Sequence, residues 1–192
     1  MSHGLNERLN QLLPKLTSPD VLANHGSGGE IGFWIFDYPP EDEMAVRTFL
    51  HEVVLPALAR HQPTIRVAAV NLFDLVIGRL EERKLLEKAI EMQRTQGDAK
   101  TLESLRRVLK EDRLAQRLVA QYDIAKLDLL ILWNVGAVYP MLRTHTLLSA
   151  LHAHMKDKPL VMFYPGQYDG YSLRLFSRLK DDHYYRAFRL VA

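Results

Sequence analysis

Four apolar, strand-like runs along this chain each end in a polar residue or a turn and then give way to a helix-like stretch. They are residues 31–36 before Asp37-Tyr38-Pro39-Pro40, residues 65–70 before Asn71-Leu72-Phe73-Asp74, residues 127–133 before Asn134-Val135-Gly136, and residues 160–163 before Tyr164-Pro165-Gly166. Strands that alternate with helices predict an α/β domain. Beyond Arg66 and Asp128 near their starts, the second and third runs are continuously apolar, as strands buried on both faces are. A final strand is expected over residues 184–191, where polar and apolar residues alternate. The expected fold is therefore a mainly parallel open sheet of about five strands with helices on both faces. Ligands and partners of such a sheet meet it at the carboxyl ends of its strands.

The helical segments follow from spacing. Leu5, Leu9, Leu12, Leu13 and Leu16 predict an amphipathic helix, and Ser18-Pro19 starts a second one that ends near His25-Gly26. The glycine-rich stretch 26–29 precedes a strand, so it reads as a connector and not as a phosphate loop. Residues 41–61 predict a helix burying Met44, Phe49, Val53 and Leu58, with Pro56 kinking it or marking its last turn. Residues 73–123 are helical throughout, about 50 residues where a crossover needs only a dozen or so. The surplus predicts a helical insertion between strands 2 and 3. One helix is expected over residues 73–96 with Leu75, Val76, Leu80, Leu86, Ala89 and Ile90 inside, ending at Gly97. Asp98 caps the next, whose apolar face is Leu102, Leu105, Val108 and Leu109, and residues 114–122 lead back to the sheet. Further helices are expected over residues 141–155 and 172–179. The chain reads as one domain over residues 1–192, with an N-terminal helical segment (1–30) and a helical arm (73–123).

Composition limits the function. The chain of 192 residues is 47% hydrophobic and 25% charged, with a net charge of +2 and no cysteine. Disulfides, thiolate zinc sites and a cysteine nucleophile are excluded. The charge balance argues against direct nucleic-acid binding. No stretch reaches the roughly 18 apolar residues of a membrane span, and residues 1–16 lack a signal-peptide core. A cytoplasmic protein is expected.

The candidate site residues lie along the predicted strand edge: Asp37, Tyr38, Asn71, Asp74, Asn134, Arg143, His145, Tyr164, Tyr168, Asp169 and Arg174. Asp37 and Asp74 could hold magnesium or act as acid and base, but each equally suits a helix cap or turn. Asn71 and Asn134 could orient a ligand or serve as turn residues. The loop from Tyr164 to Tyr171 could be an interface, since tyrosines combine area with a polar tip, or a rigid turn. Arg143 and Arg174, at expected helix starts, could pair with Asp37 or Asp169 or face a partner's carboxylates. His145 and His152 share a helix face but lack a third ligand, so no metal site is expected. No P-loop, dinucleotide fingerprint or nucleophile elbow is present, and no cofactor is expected.

Taken together, the blocks Phe36-Asp37-Tyr38-Pro39-Pro40, Asn71-Leu72-Phe73-Asp74-Leu75-Val76, Arg143-Thr144-His145-Thr146-Leu147-Leu148, Pro159-Leu160-Val161-Met162-Phe163-Tyr164-Pro165-Gly166 and Ser172-Leu173-Arg174-Leu175-Phe176 resemble the BrxB family. These are small proteins of BREX bacteriophage-defence systems. The similarity runs from about Leu5 to the C-terminus and is strongest from Arg143 onward. It implies a cytoplasmic component of a system that methylates host adenines and blocks phage replication. Its neighbours would include a PglZ-type phosphatase-like protein, a BrxC-type ATPase and a PglX-type methyltransferase. No catalytic residue is carried over.

The expected role is a non-catalytic adaptor that binds the PglZ-type or BrxC-type protein through the strand edge or the helical arm. The alternative is a nucleotide-binding or hydrolytic enzyme using Asp37 and Asp74 with magnesium. A third reading, DNA binding through Arg94, Lys100, Arg106, Arg107, Lys110, Arg113 and Arg117, is opposed by the acids interleaved with them.

Overall fold

The computed structural model describes residues 3–24, 33–155, 157–181 and 187–192. The expected connector 26–29, the helix end near His25, the first residues of the first strand (31 and 32) and the start of the last (184–186) lie outside the described residues. Seven strands are described: β1 (Phe33–Tyr38), β2 (Val67–Asn71), β3 (Leu129–Trp133), β4 (Leu160–Tyr168), β5 (Leu173–Leu175), β6 (Leu179–Asp181) and β7 (Ala187–Arg189). Five run parallel in the order β2-β3-β4-β1-β7. The expected open parallel sheet is present, with a small antiparallel extension that β5 and β6 add to the far end of β4.

Ten helices accompany it among the described residues: α1 (His3–Asn10), α2 (Leu12–Leu16), α3 (Pro19–Leu22), α4 (Glu43–Phe49), α5 (Leu55–His61), α6 (Leu72–Glu82), α7 (Leu86–Gln96), α8 (Asp98–Val108), α9 (Glu111–Tyr122) and α10 (Thr144–Met155). Side chains alternate across a strand, and both faces here are apolar. Ile35, Val70, Leu130, Leu132 and Met162 meet α6, α9 and α10 through Val76, Leu118 and Leu148. Phe36, Leu129, Ile131, Val161 and Phe163 meet α1, α2, α4 and α5 through Leu9, Leu16, Val46 and Leu58. The chain thus leaves β1 toward one face and leaves β2 and β3 toward the other. That reversal opens a crevice beyond the carboxyl ends of β1 and β4.

Two helices depart from expectation. The segment after β1 carries a π-helical turn over Leu50–Val54, just ahead of Pro56. Proline has no N–H to give, so a carbonyl of the preceding turn loses its partner. Its buried positions are Val46, Leu50, Val54 and Leu58, while Met44 is 66% and Val53 48% exposed. Four-residue steps drift by about 40° each on a regular α-helix. The wider π turn absorbs that drift and keeps all four on one face. Reading the segment as a regular helix therefore gave the wrong face for Met44 and Val53. Leu58 is buried as expected.

The expected helix over residues 73–96 is two helices. α6 ends with Lys84 at φ 55, the Leu85 N–H bonding the Leu80 carbonyl and the Lys84 N–H bonding Glu81. This is the Schellman end usually built on glycine; with lysine in the left-handed position the sequence shows no break. Ile90, expected inside, is 46% exposed. Gly97, at φ 81, turns the chain from α7 into α8 as expected. Only α6 and α9 complete the crossover on the sheet; α7 has no buried residue, and α8 buries Thr101.

The segment expected as a helix over residues 172–179 is the β5–β6 hairpin. Phe176 (φ 53) and Ser177 (φ 57) form its two-residue turn, closed by the Arg178 N–H on the Leu175 carbonyl. Two left-handed central residues mark the hairpin turn that Asn-Gly normally signals; Phe-Ser gives no such signal. Among the described residues no helix is long and apolar enough to cross a membrane.

Ile131 lies fully buried in β3. Ile131→Ala is expected to destabilise the protein by about 2–5 kcal/mol, read as a lower urea midpoint.

Candidate functional site

Asp37, near the end of β1, is 7% exposed and has both carboxylate oxygens engaged beside the crevice. Its Oδ1 accepts from Arg8 Nη2 at 2.9 Å, and its Oδ2 accepts the Tyr168 N–H at 3.0 Å. Arg189 Nη2 lies 3.5 Å from the same Oδ2 and also donates to the Tyr168 carbonyl. Arg8 further donates to the backbone carbonyls of Asp37 and Val191 and rests over the Phe36 ring. One carboxylate thereby joins α1, β1, the end of β4 and the C-terminal segment. It is neither a helix cap nor a free base. Arg8 and Arg189 were not legible as site residues, because they lie 29 and 152 positions away along the chain.

Tyr38 is buried, and its hydroxyl donates to Glu43 Oε2 at 2.6 Å. Burial, and then the Glu43 carboxylate, push its pKa well above the ordinary tyrosine value. It stays protonated and serves as a fixed donor. A cleft of about 890 Å³ opens beside these residues, lined by Arg8, Asp37, Tyr38, Glu41, Gln167 and Arg178.

The expected loop from Tyr164 is instead a continuation of β4 to Tyr168. At Pro165 the strand leaves the parallel sheet, and at Gly166 it begins to pair with β5. A Cβ on Gly166 would stand 2.2 Å from the Arg174 carbonyl oxygen, so glycine is required for that approach. Pro-Gly thus marks a switch of strand partner and not a turn. Tyr164 and Tyr168 are buried, and the Tyr168 hydroxyl donates to the Ala187 carbonyl at 2.6 Å. They pack within the protein and are not a presented tyrosine surface. Arg174 lies exposed on β5, not at a helix start.

Asp169 closes the bend after β4. Its carboxylate accepts the N–H groups of Tyr171 and Ser172 and the Ser172 hydroxyl. Those bonds, the Ser172 N–H foremost, lower its pKa to about 2.

At the other side of the sheet, Asn71 caps α6 by accepting the Phe73 N–H. It also accepts from Asn134, which is left-handed at φ 63, and donates to Asp74. The three form one local network beyond β2 and β3. Asp37 lies near the end of β1 and Asp74 in the first turn of α6, just after β2. β4 and β3 stand between β1 and β2, so the two strands are about 14 Å apart at the usual strand spacing. That is too far to share one cation, which removes the magnesium pair. Among the described residues no three His, Asp or Glu side chains are grouped to hold a metal.

Arg143, His145 and Tyr164 line a third place, a pocket of about 500 Å³ between α8, the start of α10 and the β5–β6 hairpin. The strand edge therefore carries three clusters and not one site, the first and the third meeting at Arg178.

The family described as BREX protein BrxB matches residues 68–190 of this chain. The chain is 41% identical to the BREX protein BrxB of Bacillus cereus (strain H3081.97), covering 97% of both chains. This chain belongs to the BrxB family. A second member, the BREX protein BrxB of Escherichia coli O9:H4 (strain HS), is 38% identical over 97% of this chain and 92% of the relative. No solved structure matches the chain. Membership makes it a component of a BREX anti-phage defence system, with other BREX proteins as its partners at that level.

Two predictions test the clusters. Asp37→Ala leaves Arg8 without its carboxylate, and about 3 kcal/mol of stability is expected to be lost, measured by urea denaturation. Asp169 has a folded pKa below its unfolded value, so its contribution is present above about pH 4 and fades as pH falls toward 2. The stability gap between the wild type and Asp169→Asn is expected to close over that interval, followed by melting temperature.

Proposed function

We propose that this protein is a non-catalytic adaptor that holds other BREX proteins together, contacting the PglZ-type protein first and the BrxC-type ATPase as the second candidate. The observation that carries the reading is the α7–α8 hairpin. It extends a crossover that α6 and α9 already complete, and α7 has no fully buried side chain, Leu86 packing half-buried against the core. Ordering such a segment costs backbone and side-chain entropy, and little apolar burial within the chain offsets it. Its face mixes charged residues with the exposed Ile90, as an interaction surface would.

The state of the strand-edge acids supports the same reading. Asp37 is neutralised by two arginines and Asp169 is held by three donors. Using either as a base or ligand would break bonds that hold the fold.

The test is size-exclusion chromatography with light scattering, the protein alone and mixed with its PglZ-type neighbour. A stable complex is expected, and Ile90→Asp with Arg94→Glu is expected to weaken it at least tenfold while the melting temperature stays within about 2 °C. Unchanged co-elution of the variant would remove the hairpin as the contact. Separate elution with both neighbours would overturn the adaptor reading.

A further inference from the structure

We propose that the pocket between α8, the start of α10 and the β5–β6 hairpin binds a polyphosphate group, carried by a nucleotide or by inorganic polyphosphate. Three arginines from three elements line it: Arg106 on α8, Arg143 just before α10 and Arg178 in the hairpin. Arg106 is already fixed, its Nε and Nη2 donating to the Pro140 carbonyl at 3.1 and 3.0 Å. His145 and Lys180 line the same cavity, and none of the described residues lining it is an acid. Glu111 reaches the first turn of α10, but it accepts the Thr146 hydroxyl at 2.7 Å and does not line the pocket.

The contrast with neighbouring arginines gives this cluster its meaning. Arg79 and Arg117 pair with Glu82, Arg94 with Glu91, and Arg107 with Glu103. Arg143 and Arg178 have no ion pair among the described residues. Like charges gathered round one cavity repel one another, and a multiply charged anion relieves that repulsion. Guanidinium groups match phosphate oxygens in pairs. The backbone N–H groups opening α10 add donors at the same end, with no acid in the first turn.

Position and shape favour a small ligand over a protein segment. The pocket is concave, within the usual size of small-molecule sites, and it lies beyond the carboxyl ends of β3 and β4, where open α/β sheets receive ligands. Tyr139, 42% exposed, lines it and stands edge-to-face with Phe176 at 6.2 Å. Its ring offers a surface on which a base can stack.

The test is calorimetric titration of the full-length protein, without any partner, with sodium tripolyphosphate and separately with ATP at low ionic strength. Both are expected to bind, more weakly as salt rises. Arg143→Glu with Arg178→Glu is expected to weaken both at least tenfold. Arg143→Gln, a milder change at an exposed position, should weaken them at least threefold if the double variant fails to fold. Arg60→Glu on α5, across the sheet, should change nothing. Tighter ATP binding that Tyr139→Ala reduces to the tripolyphosphate level would identify a nucleotide; equal binding of the two would identify polyphosphate alone. No binding of either, or binding indifferent to the arginine substitutions, would overturn the proposal. So would binding of a polyglutamate peptide where tripolyphosphate neither binds nor competes. The adaptor reading is independent, since it is decided by co-elution with partner proteins.

Discussion

The buried carboxylate of Asp37 is the constraint on which the arrangement of the sheet edge depends. A carboxylate removed from water must find donors or lose its charge. Here they come from chain segments that no local rule would bring together: Arg8 near the N-terminus, the Tyr168 N–H at the end of β4, and Arg189 in β7. The apolar faces of the sheet press α1 and β7 into place but are non-directional. Hydrogen bonds to one fixed group supply the direction. They tie α1 over β1, hold the last residues through Val191, and set where β4 ends. Such a group contributes less to total stability than to selecting one arrangement, because its desolvation cost offsets much of its Coulombic gain.

This explains which parts of the fold were legible in the sequence. Parallel strands buried on both faces leave apolar runs, so β3 and the first half of β4 could be read directly. β2 was found as a strand too, but it lies at the sheet edge and buries alternate residues. Ser18 capping α3 and Gly97 ending α7 carried local signals with a physical cause. The misread elements lacked such signals. Lys84 ends α6 in a conformation usually given to glycine, and Phe176-Ser177 make a turn usually given to Asn-Gly. Pro165-Gly166 gave the opposite error. Their residue types announce a turn, but proline suits the place where β4 leaves the ladder, and glycine allows the β5 backbone to approach. In each case a tertiary contact decided a conformation that local preference left open or opposed.

The candidate site was legible in position and not in role. The polar residues at the strand ends do gather along one edge, as the topology requires. Asn71, Asp74 and Asn134 bond chiefly to one another, and Asp169 to its own bend. A residue type at a strand end tells that it can reach the crevice; it does not tell whether the chain itself has already taken its hydrogen bonds. The partners that take them, Arg8 and Arg189, are set by the fold alone. Family membership adds what the geometry lacks, the BREX setting to which the chain belongs.

The distribution of arginines carries the argument one step further. On α6, α7 and α9, Arg79, Arg94 and Arg117 each have a carboxylate close by, which offsets those charges locally. Around the start of α10 the pairing stops and positive charge accumulates inside a concavity. Arg106 stands at the join, projecting from α8 and bonded to the Pro140 carbonyl. The arm is therefore not a separate appendage. Its second helix supplies one wall of the charged pocket, and a shift of α8 changes that wall. Two sites that share a structural element are coupled by however much each ligand prefers one placement of it. On the two proposals above, the shared element would be α8, and Arg106, bonded to the Pro140 carbonyl, the side chain that links arm and pocket.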